Sequence, residues 1–335
     1  MTAYCGRMAN RQIRGKRERS ADASADAAEQ SFGSARFDDD ARLDLELPDF
    51  DWSALPSGVT RTRFTAPSGS LAGLVVGTPS LPRVLLVPGA TGSKEDFILM
   101  MPLLAAAGFR VESYDLAGQY ESADAGPHHL LPPHSRYEYD LFLDDLIAVL
   151  EAGGTPVHVL GYSFAGIVAQ LALTRRPELF ASLALLSCPP EAGFRSIKRV
   201  GAAAGLVSDR MAAALMIWGI RRNIIRVPPG RLRLARQRFS LTSRSSVDDI
   251  IGLMRNAPDL TEVLAAASVP KLVAVGEHDL WPLALHAGFA RSIDATLAVY
   301  RSGHNPCEAS PHQLCRDLIA LYRKAGDAAR VELER

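Results

Sequence analysis

From about residue 58 the chain settles into short apolar runs separated by polar, glycine- and proline-rich breaks. Thr60–Thr65 and Ser70–Gly77 alternate in polarity across Pro67-Ser68-Gly69, the pattern of a β-hairpin. The run Val84-Leu85-Leu86-Val87 follows Arg83 and ends at Pro88-Gly89, so it predicts a buried strand. Residues 94–107 carry a helical period, and Arg110–Tyr114 predicts another strand, ending at Asp115. Residues 137–152 place Leu141, Leu143, Leu146, Ile147 and Leu150 on the inward face of a helix. Pro156–Leu160 reads as a buried strand and Ile167–Leu173 as the helix after it. The rhythm continues with a strand at Ser182–Leu186 and another at Lys271–Val275. A helix over 282–293, a strand at Thr296–Tyr300 and a helix over 311–324 complete it. Strands alternating with helices predict an α/β chain with a mainly parallel sheet covered on both faces. The hairpin is the antiparallel exception at one edge.

Two stretches break the pattern. Residues 1–45 are densely basic from Arg11 to Arg19, then rich in Ala, Ser and Asp, and reach Asp38-Asp39-Asp40. Such a segment buries too little apolar surface to offset its ordering entropy, so a disordered tail is expected. Residues 191–258 are helical in pattern, lack a clear strand and fall between two strand–helix units. An insertion there would cover the carboxyl ends of the strands, where α/β folds hold ligands, so it reads as a helical cap. The expected division is therefore a tail over 1–45, a core over 46–190 and 259–326, a cap over 191–258 and a C-terminal tail over 327–335.

Composition narrows the function classes. Hydrophobic residues make up 47% and charged residues 22%, with 37 basic against 37 acidic side chains. That balance points away from nucleic acid. Four cysteines without a C-x-x-C pair argue against a zinc site or a disulfide framework and fit reduced thiols in a cytoplasmic protein. No apolar run has transmembrane length, and the basic N-terminus lacks the apolar core of a secretory signal. Charge is unevenly spread. Residues 191–258 hold 13 basic and 4 acidic residues, and the rest of the chain carries the opposite excess. A lid with a solvated basic face accounts for this. The sharper alternative is attraction of an anionic partner: an acyl thioester, a carrier protein or an anionic lipid surface.

The candidate chemistry centres on Gly161-Tyr162-Ser163-Phe164-Ala165-Gly166, between a predicted strand and a predicted helix. A serine on so tight a turn, with small neighbours, has the geometry of a nucleophile elbow. The turn lifts the Ser163 hydroxyl out of the sheet and leaves the Phe164 N–H at a helix N-terminus. A nucleophilic serine needs a base and an acid to orient that base. Asp279 follows a strand within Gly276-Glu277-His278-Asp279-Leu280-Trp281-Pro282, and His304 follows the next within Gly303-His304-Asn305-Pro306. Other histidines fit elsewhere: His128, His129 and His134 in a solvated loop, His158 in the core, His312 at the surface. His278 could line the site. Cys307 reads as a packing thiol.

With the elbow, the acid segment, the His304 segment and the loop Pro88-Gly89-Ala90-Thr91-Gly92-Ser93, residues 58–325 resemble an α/β-hydrolase with an inserted cap. The resemblance implies that Ala90 and Phe164 donate the two oxyanion N–H groups and that Asp115 in Asp115-Leu116-Ala117-Gly118-Gln119 is structural. It also makes Glu191 an alternative acid. The activity it implies is hydrolysis of a carboxylic ester or thioester by Ser163, His304 and Asp279. Acyl transfer or carbon–carbon bond hydrolysis on the same fold, and a non-catalytic binding module, remain alternatives. Thr91, Tyr162, Trp218 and Trp281 are the candidate pocket residues. The expected partner is a small acyl substrate, anionic in the sharper reading, with neither metal nor organic cofactor.

Overall fold

The computed structural model describes residues 39–193 and 228–333. The first stretch of the expected tail lies outside these residues. Residues 39–45 form a helix (α1) whose Arg42 pairs with Asp39 and Glu46.

From residue 48 onward, eight strands make one sheet in the order β1-β2-β4-β3-β5-β6-β7-β8. The hairpin is β1 (Thr60–Ala66) and β2 (Gly69–Val76), paired from Thr60↔Val75 to Ala66↔Gly69. It joins the sheet through an antiparallel pairing of β2 with β4 (Arg110–Tyr114). All other neighbours are parallel: β3 (Arg83–Val87), β5 (Val157–Tyr162), β6 (Phe180–Leu186), β7 (Lys271–Gly276) and β8 (Thr296–Tyr300). Every residue of β3 and β7 is buried, which is why each reads as an apolar run after its first, charged residue.

Two apolar clusters cover the two faces. One holds Leu141, Phe142 and Leu146 of α3 (Tyr139–Glu151) with Phe164, Val168 and Ala172 of α4 (Phe164–Arg175). The other holds Met100 and Leu104 of α2 (Met100–Ala106) with Leu314, Leu318 and Tyr322 of the last helix, which spans Pro311–Leu333. That helix continues through most of the segment expected to be a tail from residue 327. The predicted helix over 94–107 is split into a 3₁₀ turn, Lys94–Phe97, and α2. Pro102 falls in the first turn of α2, where its missing N–H removes no helical bond. Ahead of it, Lys94, Glu95 and Asp96 turn inward to buried partners.

Strand order sets the position of the site. From β3 the chain moves to one side, to β4, then crosses back to β5 on the other side. The loops after β3 and β5 therefore leave the sheet at a switch point, the place at the strands' carboxyl ends where α/β folds hold ligands. Pro88–Ser93 leaves β3 there, and Ser163 follows β5.

Within the expected cap, residues 194–227 lie outside the described ones. The described part forms α5 (Pro229–Leu241) and α6 (Arg244–Arg255). These pack on the loop after β4: Ser243 N–H donates to Gly118 O at 2.7 Å, and Ser246 Oγ donates to Ala117 O at 3.1 Å. Leu234 of α5 packs with Trp52, Ile98 and Tyr120. The remaining helices are α7 (Thr261–Ala266), α8 (Leu283–Ser292), α9 (Pro306–Ala309) and α10, the last helix.

Candidate active site

Ser163 stands at φ 52° and ψ −115°, a conformation that side chains other than glycine rarely take. Its neighbours explain why the chain can hold it. A Cβ on Gly161 would lie 2.5 Å from Ala165 O, and one on Gly166 would lie 2.6 Å from Cys188 Sγ. Only hydrogen fits at either position. The Ser163 N–H still donates to Leu186 O at 2.8 Å, so the strained residue stays tied to the sheet.

Three elements converge on this turn. His304, in the loop after β8, places Nε2 3.1 Å from Ser163 Oγ. Its Nδ1 lies 2.5 Å from Asp279 Oδ1, in the loop after β7. Asp279 is thus the carboxylate that meets the His304 ring. The Asp279 carboxylate is fully buried and the His304 side chain a quarter exposed. Burial by itself raises the Asp279 pKa; the close His286 ring, the His304 hydrogen bond and charge, and the Leu280 N–H outweigh it and bring the group to about 2. An ionised Asp279 fixes the proton of His304 on Nδ1 and leaves Nε2 free to accept from Ser163.

The loop after β3 lies on the other side of Ser163. A Cβ on Gly89 would meet Ser163 Cβ at 3.0 Å, so this backbone passes directly beside Ser163. Thr91 has φ 60°, and its N–H donates to Gln119 Oε1 at 2.7 Å. The Lys94 N–H donates to Asp115 Oδ1 at 2.8 Å. Lys94 Nζ also lies within 2.9 Å of Asp115, Glu95 and Glu121. Burial favours loss of the lysine proton, but these carboxylates prevail and raise its pKa. Asp115 is therefore structural: it clamps the β3 loop from β4. The Phe164 N–H belongs to the first helical turn, which has no intrahelical acceptors. Ala90 follows Gly89 in the loop that passes beside Ser163.

Of the pocket candidates, Tyr162 and Trp281 flank the His304 ring at 5.5 and 6.1 Å between centroids. Trp281 is buried and supports His304 more than it lines a cavity. Thr91 is also buried. Trp218 lies outside the described residues. His278 is largely exposed and points to Glu277. His158 is buried against Tyr322 and hydrogen-bonded to Ser182, a packing residue as expected. Burial pushes the Cys307 thiol up, which keeps it protonated and inert.

His286 escaped the sequence reading. It is fully buried, with Nε2 3.2 Å from Asp279 Oδ2. The available signal was its position on α8, four residues before buried Ala290 and on the same inward face.

The arginines of the expected cap divide. Arg238 Nη1 meets Asp96 Oδ1 at 2.7 Å, and Arg231 pairs with Asp96 and Glu308 while lying over the Trp52 ring. These two are internal and neutralised. Arg233 and Arg236 are exposed. Among the described residues no cluster could hold a metal ion, and no helix is long and apolar enough to cross a membrane.

Residues 84–317 match the family described as Alpha/beta hydrolase family. No curated protein matches the chain. Solved structures similar to it include a thioesterase domain from the curacin biosynthetic pathway, at 18% identity over 78% of this chain and 99% of that one, with a TM-score of 0.56. A thermophilic esterase from Thermogutta terrifontis is 22% identical over 79% of this chain and 99% of its own, with a TM-score of 0.63. An epoxide hydrolase from Vigna radiata is 16% identical over 81% of this chain and 100% of its own, with a TM-score of 0.64. Identities this low speak for the fold alone. The sheet order, the loops that meet at its switch point and the family match across most of the sequence agree: the chain belongs to the alpha/beta hydrolase family.

Proposed function

We propose that this protein is a serine hydrolase that cleaves a carboxylic ester or thioester through an acyl-enzyme. The observation that carries the reading is the continuous relay from Ser163 Oγ to His304 Nε2 and from His304 Nδ1 to Asp279. In the proposed reaction His304 takes the Ser163 proton as Oγ attacks the substrate carbonyl. The oxyanion is held by the N–H groups of Ala90 and Phe164. His304 then passes the proton to the departing alcohol or thiol, while Asp279 stabilises the imidazolium. Water, activated by His304 in the same way, releases the acid and restores Ser163. A hydroxyl nucleophile disfavours epoxide opening and carbon–halogen cleavage on this fold, which need an alkyl-enzyme ester formed by a carboxylate.

The substrate is proposed to be a small acyl compound. Internal neutralisation of Arg231 and Arg238 supports a lid rather than an anion-binding face, because two of the basic residues available for recognition are already paired.

Turnover of p-nitrophenyl esters across acyl lengths, by wild type and Ser163→Ala, tests the reading. Hydrolysis by the wild type that falls by several orders of magnitude in Ser163→Ala is expected. Equal turnover by both proteins would reject Ser163 as nucleophile.

A further inference from the structure

His286 faces the one carboxylate oxygen that the relay leaves open. Asp279 Oδ1 accepts from His304 Nδ1 and from the Leu280 N–H, each at 2.5 Å. Oδ2 meets His286 Nε2 at 3.2 Å, and both side chains are fully buried. The ring N–H is not aligned along this contact, so neither Oδ2 nor either ring nitrogen makes a well-directed hydrogen bond as the side chains stand. Trp281 packs edge-on against the His286 ring, at 6.5 Å and 90°. The arrangement is therefore a buried anion facing a buried imidazole, separated by a small rotation from a hydrogen bond.

Electrostatics selects the tautomer. A bare Nε2 would set its lone pair against an ionised carboxylate oxygen. Of the two neutral tautomers, the one with its proton on Nε2 leaves only a bare imidazole nitrogen unsatisfied, which is the less costly.

We propose that His286 is a positioning residue for the reaction: it donates Nε2–H to Asp279 Oδ2, fixes the plane of that carboxylate and so aims Oδ1 at His304. The inference rests on the Ser163–His304–Asp279 reading above. It goes further in placing an imidazole on each side of the acid. With Oδ2 held, the carboxylate cannot rotate away when His304 becomes imidazolium.

His286→Phe and His286→Gln test this. Both fill the space of the ring, and only glutamine keeps a donor near the Nε2 position. Ester kcat and KM, and the rate of fluorophosphonate labelling, are measured for each beside wild type. A roughly ten- to hundredfold loss in kcat and labelling rate is expected for His286→Phe, at little-changed KM, as befits one hydrogen bond to a charged group. His286→Gln should recover most of it. Wild-type rates in a folded His286→Phe would overturn the proposal, as would equal losses in the two variants. Imidazole ¹⁵N spectra of the wild type decide the matter even if the variants fail to fold: an Nε2–H signal for His286 supports the proposal and an Nδ1–H tautomer overturns it. Failure of the underlying reading appears separately, as turnover that survives Ser163→Ala.

Discussion

Ser163 holds a backbone conformation that costs on the order of 1–3 kcal/mol, and its neighbours make that conformation unavoidable. Gly161 and Gly166 could not carry a methyl group without striking backbone or Cys188, while Ala165 fits fully buried. This explains why the turn tolerates Gly161-x-Ser163-x-Ala165 without a glycine at the second flank. Asp279 is the second residue under strict control. A carboxyl whose folded pKa lies near 2 contributes stability above its unfolded value of about 3.9. That contribution is lost only as pH falls through the folded value. Asp279 is thus ionised wherever the enzyme would be assayed, and loss of activity between pH 5 and 7 cannot be its titration. Asp279→Asn should lower kcat by about 10⁴-fold with KM little changed, because the amide no longer fixes the His304 tautomer. Steady-state kinetics checks this, and wild-type kcat in the variant would move the acid elsewhere, with Glu191 the next candidate.

Among the elements, the buried strands were legible because parallel strands covered on both faces must be apolar throughout, as Val84–Val87 and Leu272–Val275 are. The segment after β3 was not. Its Lys94, Glu95 and Asp96 look like the solvated side of a helix, yet all three are buried against partners that a local pattern cannot reveal. Asp96 holds Arg231 and Arg238 of α5 and also accepts from the Ser93 N–H at 3.1 Å. One carboxylate therefore links the loop beside Ser163 to the helix packed over it. Asp96→Ala strands buried guanidinium charge and should destabilise by about 3–5 kcal/mol. In a domain of this size that is a drop of roughly 10 °C in the unfolding midpoint, read by calorimetry. Combining Asp96→Leu with Arg238→Met removes one buried charge with its partner and should recover part of the loss. An unchanged midpoint in Asp96→Ala would mean the pairs contribute nothing to the packing of α5.

At the scale of the whole molecule, the sheet joins two cores, and the second is closed by the last helix through Tyr322 and His158. Burial lowers the His158 pKa to about 4. A histidine with a depressed folded pKa stabilises fully above its unfolded value of about 6.5. The contribution is lost as pH falls toward 4, when only the unfolded chain takes up the proton. Wild type should therefore lose on the order of 2–3 kcal/mol relative to His158→Phe between pH 7 and pH 4. Burial raises Asp115 and Asp145, which bends stability the other way, so the difference between the two proteins is the quantity to read. Parallel denaturant-derived curves across this window would contradict the assignment.

The charge map shows where sequence reasoning stopped at this scale. The basic excess of residues 191–258 was visible, but its partial neutralisation by Asp96 and Glu308 depends on contacts across more than 70 positions. His286 was hidden although its partner is near in sequence. Seven residues from Asp279 along the chain, it becomes a partner only when α8 folds back beside β7. Ser163, Asp279 and His304 were legible as candidates because each stands just past a strand end, within three residues of a glycine or proline, where the local sequence restricts the backbone.

Peptide mapping of a fluorophosphonate adduct tests the central claim most directly. Incubation of the folded protein, followed by digestion and mass spectrometry, should place a single adduct on Ser163, and none should form in Ser163→Ala. An adduct on another serine, or a folded wild type that takes no label, would contradict the account.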